Sequence, residues 1–289
     1  MAEPPAEPSF ARLGPETLGS PVILSVPHAG RAYSAELLKA SRLPREALET
    51  LEDPLVDQLV EHAARSGNTV LVAHAPRAEI DLNRDEREID AAMVVPPPPA
   101  RTLLSSPRTL GGLGLVPSRI SGAGSIWLQR LPRAQLDHRL DTIHRPYHAA
   151  LAELLEEARL RFGTAILLDC HSMPPRAGSP GPAADLIFGD RYGTSIATPF
   201  LRAALEAARA AGFTTACNAP YAGGFITSRH GRPAAGIHAL QLEIDRSLYL
   251  EAGMRSPGPG FDRVARLIAA VAQALADRVT QPPQALAAE

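Results

Sequence analysis

Cysteine, lysine and long apolar runs are all scarce in this sequence, and each shortage narrows what the chain can be. Cys170 and Cys217 are the only cysteines. Two are too few for a disulfide framework, which points to a reducing compartment and hence the cytoplasm. Lys39 is the sole lysine, so arginine supplies nearly all the positive charge. With alanine and proline abundant, that bias suits a GC-rich bacterial genome better than a binding surface. No run approaches the roughly 18 apolar residues of a transmembrane helix. The opening MAEPPAEPSFARLGP has neither a basic nor an apolar stretch, so it is not read as a signal peptide. A cationic surplus is missing too: the formal net charge is -2, and no segment is strongly basic. A nucleic-acid partner held by phosphate neutralisation is therefore not expected.

The chain has 289 residues, of which 45% are hydrophobic, ample for a packed core. No internal repeat or linker divides it, so one domain is expected over residues 19–277, with tails at 1–18 and 278–289. Strands and helices alternate in between. PVILSV, TVLVAHA, AILLDCHS, ADLIFGD and HALQLEID read as strands. DPLVDQLVEHAARSG reads as a helix with Asp53 as N-cap, Pro54 at its first position and Gly67 as its stop. A helical period also runs through 133–163, where Pro146 is a candidate kink. Further helices are expected over SIATPFLRAALEAARAAG and about 260–277. This rhythm predicts an α/β sheet with helices on both faces. The Pro/Gly-rich stretch 94–124 is too long for a plain connection and reads as a lid or binding segment.

In open α/β sheets, ligands sit beyond the carboxyl ends of the strands. PVILSV runs into His28, AILLDC into His171, and HALQL into Glu243 and Asp245. Two histidines and an acid converging at one sheet edge suit a zinc site with a position left open for water. A carboxylate is the expected third ligand, with Asp53 and Asp57 the candidates at the start of the helix after the first strand. Asp53 also has a purely structural reading as an N-cap. IDLNR and the preceding Arg77 bring Arg77, Asp81, Asn83 and Arg84 to another strand exit. Guanidinium groups there could grip carboxylates or stabilise an oxyanion, or simply form a surface ion-pair cluster with Asp85, Glu86 and Arg87.

Eight ordered blocks carry a family resemblance: SVPHAGRAY, LEDPLVDQL, IDLNRDE, HRPYHAAL, LLDCHSMP, LIFGDRYG, GGFITSRHG and HALQLEIDRSLY. Over about residues 20–275 the chain resembles the N-formylglutamate amidohydrolases, themselves remotely similar to zinc carboxypeptidases and aspartoacylase. The resemblance implies a single-domain, three-layer α/β/α fold with a central mixed, mostly parallel sheet of the zinc-carboxypeptidase kind. It implies hydrolysis of N-formyl-L-glutamate to formate and L-glutamate, a step the family name associates with histidine degradation.

Carried over residue by residue, the resemblance makes His28 and His171 ligands of one Zn2+. It makes Glu243 the general base and acid, and Arg77 the group that polarises the substrate carbonyl. Asn83 and Arg84 would grip one substrate carboxylate, and Arg229 or another loop arginine the other. The distant relatives place a glutamate ligand three residues after the first histidine, where this chain has Arg31. Aligning the following helix puts Asp53 in that glutamate's place. Ala78 and Glu79 also depart from the bulky apolar residues the family more often has before DLNR. The implied partner is a small N-acyl amino acid, and a homo-oligomer is compatible with the sequence. The alternatives are an amidohydrolase with another acyl or amino-acid preference, and a non-catalytic amino-acid-binding homologue. His144, Tyr147 and His148 are expected to pack or to support other site residues. His230 is placed near substrate or in an ordinary loop.

Overall fold

A strand covered on both faces must be apolar along its whole length, and the expected strands meet that condition. The computed structural model describes residues 8–176 and 183–280. Its main sheet has seven strands: β1 (Phe10–Leu13), β2 (Val22–Val26), β3 (Thr69–Ala73), β4 (Ala165–Met173), β5 (Leu186–Gly189), β6 (Thr215–Cys217) and β7 (Ile237–Asp245). They lie in the order β1-β3-β2-β4-β7-β5-β6. The central β3, β2, β4 and β7 run parallel. β1 is antiparallel to β3, β5 is antiparallel to β7, and β6 runs parallel to β5. The sheet is therefore mixed and mostly parallel. Every residue of β2, β3, β4 and β7 is buried.

Side chains alternate between the two faces, and each face has its own helices. Leu24, Val26, Leu168, Leu240 and Leu242 pack against α2 (Thr198–Ala210) and α4 (Phe261–Thr280). Ile23, Leu71, Leu167 and Ala239 pack under α1 (Arg145–Phe162), through Tyr147, Leu151 and Leu155. Each fully buried leucine or isoleucine contributes about 1.5–3 kcal/mol, so the central strands are firmly placed. Towards the carboxyl ends of β2, β4 and β7, the face under α1 turns polar. Ser25, Asp169, His171, Gln241 and Glu243 follow Ile23, Leu167 and Ala239 at two-residue steps.

Several local expectations change. Residues 1–7 and 281–289, expected as tail, lie outside the described residues. Phe10–Leu13, also expected as tail, forms an edge strand on β3, and the last helix reaches Thr280 rather than 277. A four-residue strand gains its stability from the partner it pairs with, which local sequence does not show. Pro146 does not break its helix. A π-helical turn, Leu140–His144, precedes it, and Pro146 is the second residue of α1, where its missing N–H is tolerated. His144 and His148 consequently share a face, with ring centroids 4.5 Å apart. The stretch 94–124 contains a one-turn helix, Pro107–Leu110, and a hairpin of Arg119–Ile120 with Gly124–Ser125. No helix among the described residues is long and apolar enough to cross a membrane.

Candidate active site

The turn after β2 delivers His28 to the sheet edge. Gly30 lets this turn lie against the end of β3, because a Cβ there would come within 2.2 Å of the Ala75 carbonyl oxygen. Asp53 does not cap a helix. Leu55, left-handed at φ 60°, leads instead into two short helices, Val56–Leu59 and Glu61–Arg65. The Asp53 carboxylate turns inward, where two imidazoles and a guanidinium outweigh the roughly 1 kcal/mol an N-cap contributes. Its Oδ2 lies 3.3 Å from His28 Nδ1 and 3.0 Å from His171 Nδ1, and the two Nδ1 atoms are 3.2 Å apart. Arg246 holds the other oxygen, Oδ1, at 3.2 Å. The rival Asp57 pairs with Arg31 and stays outside this group.

Each histidine has its far nitrogen fixed by a carboxylate. His28 Nε2 lies 2.8 Å from Asp81 Oδ1, and His171 Nε2 lies 2.8 Å from Asp169 Oδ2. With Nε2 donating to a carboxylate, Nδ1 is left to present a lone pair. Behind these pairs, Ser25 donates to Asp169 at 2.9 Å, and Tyr147 bonds Ser25 at 2.9 Å. Burial opposes charge on Asp81, yet Arg77, His28 and Arg84 hold it well below the usual carboxylate range. Burial likewise disfavours a charged His171, but Asp169 and Asp53 raise its pKa well above the usual imidazole value.

Two nitrogen lone pairs and a carboxylate oxygen converging in a buried space require positive charge between them. In the bare protein, the raised pKa of His171 supplies a proton. A metal ion meets the same demand: tetrahedral bonds of about 2.0–2.1 Å place ligand atoms about 3.3 Å apart, close to the three separations observed. His28, Asp53 and His171 are therefore a group that could hold a metal ion, with two nitrogens, one oxygen and a carboxylate behind each histidine.

Glu243 pairs across the sheet with His171 in the β7–β4 register. Gln241, two residues earlier on the same face, donates to Glu243 Oε1 at 2.7 Å. Burial pushes the Glu243 carboxyl up to about 7, against the opposing pull of His171. A buried carboxyl near neutrality beside a candidate metal group can exchange protons with a reacting molecule. Arg77 reaches the same cleft while its Nε holds Asp81 at 2.9 Å. Arg84 is buried, donating from Nε to the Leu113 carbonyl at 2.9 Å and from Nη1 to the Asn83 carbonyl at 2.8 Å. Asn83 also lines the cleft, but its amide is largely engaged. Its Oδ1 accepts from the Ile226 N–H at 2.9 Å, and Gly224 packs so tightly on it that a Cβ would lie 2.2 Å from Oδ1.

Arg229 is not brought to the cleft. It is exposed on α3 (Phe225–His230), with its guanidinium 5.7 Å from the Phe225 ring centroid. His230 is buried and turned the other way, 3.0 Å from His148 Nδ1. His148 Nε2 donates to the Leu82 carbonyl at 3.0 Å, and His144 Nε2 to the Arg84 carbonyl at 2.9 Å. Burial keeps all three neutral: His148 falls well below the ordinary imidazole value and His230 to about 3. His144 and His148 thus hold the backbone on either side of Asn83, and His230 supports His148.

Sequence reasoning missed the roles of Asp169, Gln241, Arg246, Arg108 and Tyr221, the last three of which line the cleft with Gln241. Asp169 and Gln241 carried a usable signal, since each lies two residues before a candidate on the same strand face. Arg246 follows β7 directly within the HALQLEIDRSLY block, whereas Arg108 and Tyr221 lie outside the strands and carried no periodic signal. The cleft holds about 160 Å³, below the roughly 300–1,000 Å³ of drug-sized pockets, which suits a small ligand.

With this geometry established, three comparisons place the chain among known proteins. Residues 20–250 match the family model for N-formylglutamate amidohydrolase. The N-formylglutamate deformylase of Pseudomonas putida is 33% identical over 240 residues, covering 80% of this chain and 82% of the relative. That of Pseudomonas aeruginosa is 30% identical over 243 residues, with the same coverage. The crystal structure of N-formylglutamate amidohydrolase from Ralstonia eutropha JMP134 superposes with a TM-score of 0.87 at 36% identity, covering 94% of this chain and 98% of that one.

Proposed function

The chain belongs to the N-formylglutamate amidohydrolase family, and from that premise we propose that it hydrolyses N-formyl-L-glutamate to formate and L-glutamate at a zinc site. The observation that carries this reading is the His28–Asp53–His171 group lying beside Glu243, with Asp81 and Asp169 orienting the two imidazoles. His28 and His171, each through Nδ1, and the Asp53 carboxylate would hold the ion. A zinc ion so held supplies Lewis acidity, which brings the pKa of water towards about 7 and polarises a carbonyl oxygen.

The protein's own groups carry the proton and the charge. Glu243 takes a proton from the attacking water and delivers it to the amide nitrogen as the C–N bond breaks. Gln241, by donating to Oε1, keeps the carboxylate aimed at the cleft. Arg77, steadied by Asp81, stabilises negative charge developing on the formyl oxygen. Arg84 holds one substrate carboxylate, with Asn83 shaping the wall beside it. The cytoplasm is the compartment this reading assigns, and the unpaired Cys170 and Cys217 support it.

A substrate panel tests the assignment. N-formyl-L-glutamate should give a higher kcat/KM than N-formyl-L-aspartate or N-acetyl-L-aspartate. A clear preference for N-acetyl-L-aspartate would transfer the chain to a different acyl specificity.

Acidity should also slow the enzyme, in a predictable direction. Glu243 acts as the carboxylate, and burial raises its pKa to about 7, so the active form is lost as pH falls. A bound cation acts in the opposite direction, back towards the ordinary glutamate value of about 4.3. kcat/KM should therefore fall about tenfold per pH unit below a midpoint at or under about 7. A profile flat down to about pH 3.5, a unit below the ordinary glutamate value, would remove Glu243 from the proton-transfer step.

A further inference from the structure

Four arginines, Arg77, Arg84, Arg108 and Arg246, line the candidate active site, and they are not equally neutralised. Arg77 has Asp81 at 2.9 Å, and Arg246 has Asp53 at 3.2 Å. Arg84 comes no closer than 3.9 Å to Asp81, which Arg77 and His28 already share. Arg108 has no carboxylate within 4.0 Å and no side-chain hydrogen bond among the described residues. Two guanidinium groups in one small cleft thus keep unused capacity for an anion, and like charges left side by side favour a ligand that neutralises both.

The backbone holds Arg108 in a defined relation to Arg84. Arg108 lies on the one-turn helix Pro107–Leu110, capped by Ser106, whose hydroxyl also donates to Glu88 at 2.9 Å. The Leu113 N–H donates to the Arg108 carbonyl at 2.8 Å, and the Leu113 carbonyl accepts from Arg84 Nε at 2.9 Å. One residue therefore ties the two arginines together. Arg84 is buried and Arg108 is exposed, so they mark an inner and an outer position in the cleft. Arg84, Arg108 and Tyr221 line this same space.

We propose that Arg108 is the specificity-determining residue for the substrate's side-chain carboxylate, with Arg84 taking the α-carboxylate. The inference rests on the amidohydrolase reading above. The α-carboxylate is borne on the carbon bonded to the scissile nitrogen, so it stays near the reacting bond and meets the inner arginine. The side-chain carboxylate ends a chain of two methylenes and extends towards the mouth, where Arg108 stands. The site then selects N-acyl amino acids with two carboxylates over those with a neutral side chain. The segment 94–124 thereby contributes a recognition group to the site.

The test compares N-formyl-L-glutamate with its neutral isostere N-formyl-L-glutamine, in the metal-loaded full-length enzyme and its Arg108→Ala and Arg108→Lys variants. The wild type should prefer the glutamate compound. In Arg108→Ala the ratio of the two kcat/KM values should fall about 10- to 100-fold, the span of one charge-assisted hydrogen bond. The loss should appear mainly in KM for the glutamate compound, and Arg108→Lys should restore part of the ratio. An unchanged ratio overturns the proposal. So does an equal loss on both substrates, which would assign Arg108 to loop packing. A wild type inactive on both compounds overturns the amidohydrolase reading, and this inference with it.

Discussion

Glu243→Gln should lower kcat by about 10²- to 10⁴-fold, the range a positioned general acid–base supplies, while metal content stays at the wild-type level. The substitution keeps the shape of the side chain and removes only its ability to accept a proton. Gln241 donates to Oε1 of Glu243, and a carboxamide oxygen at the same place can accept that bond, so β7 has no reason to repack. His28, Asp53 and His171 keep their own partners, Asp81, Asp169 and Arg246. KM should change little, because in the proposed mechanism Glu243 acts on the water and the leaving nitrogen rather than on a substrate carboxylate. Elemental analysis alongside steady-state kinetics separates the outcomes. Near-normal turnover with the metal present would sink the role given to Glu243. Lost turnover with lost metal would show that it supports the metal group instead.

Removing the metal should have an effect at least as large. Chelation followed by desalting is expected to bring turnover to background, and added zinc to restore it in proportion to occupancy up to one ion per chain. Lewis-acid stabilisation of several kcal/mol corresponds to on the order of 10³-fold or more in rate. The metal-free protein should remain folded, because a proton on His171 can supply the positive charge that Asp53 and Asp169 demand. His171→Ala should be worse than chelation. It removes a partner of two buried carboxylates, leaving Asp169 with Ser25 and Asp53 with His28 and Arg246, at a cost of about 1–3 kcal/mol, so its melting temperature should fall as well. Metal-free wild type, confirmed by elemental analysis, that still hydrolysed N-formylglutamate at full rate would refute the metal assignment.

Much of the arrangement was legible before folding. Strands buried on both faces have to be continuous apolar runs, so PVILSV, TVLVAHA, AILLDCHS and HALQLEID announced the middle of the sheet, and the polar residues at their carboxyl ends announced its working edge. The two-residue period of a strand also contained Asp169 and Gln241, because each lies on the same face as its neighbour His171 or Glu243. These are local properties, set within a few residues by sterics and by the need to bury apolar surface.

The carboxylate and guanidinium groups around the candidate metal group obey no such local rule. Asp53 carries the marks of an N-cap, yet it leaves that role for His28, His171 and an Arg246 located 193 residues along the chain. Arg229 sits in a block that resembles the family and still faces away, while Arg108 enters from a Pro/Gly-rich segment that offered no motif. Phe10–Leu13 becomes a strand only because β3 presents an open edge. Loop side chains are aimed by the path of the backbone, and that path is set by packing against distant elements and by the need to pair every buried charge. Residue identity and period therefore specified the strands and the kinds of group at their ends, whereas the charge balance of the assembled cleft selected which carboxylate and which arginines complete it.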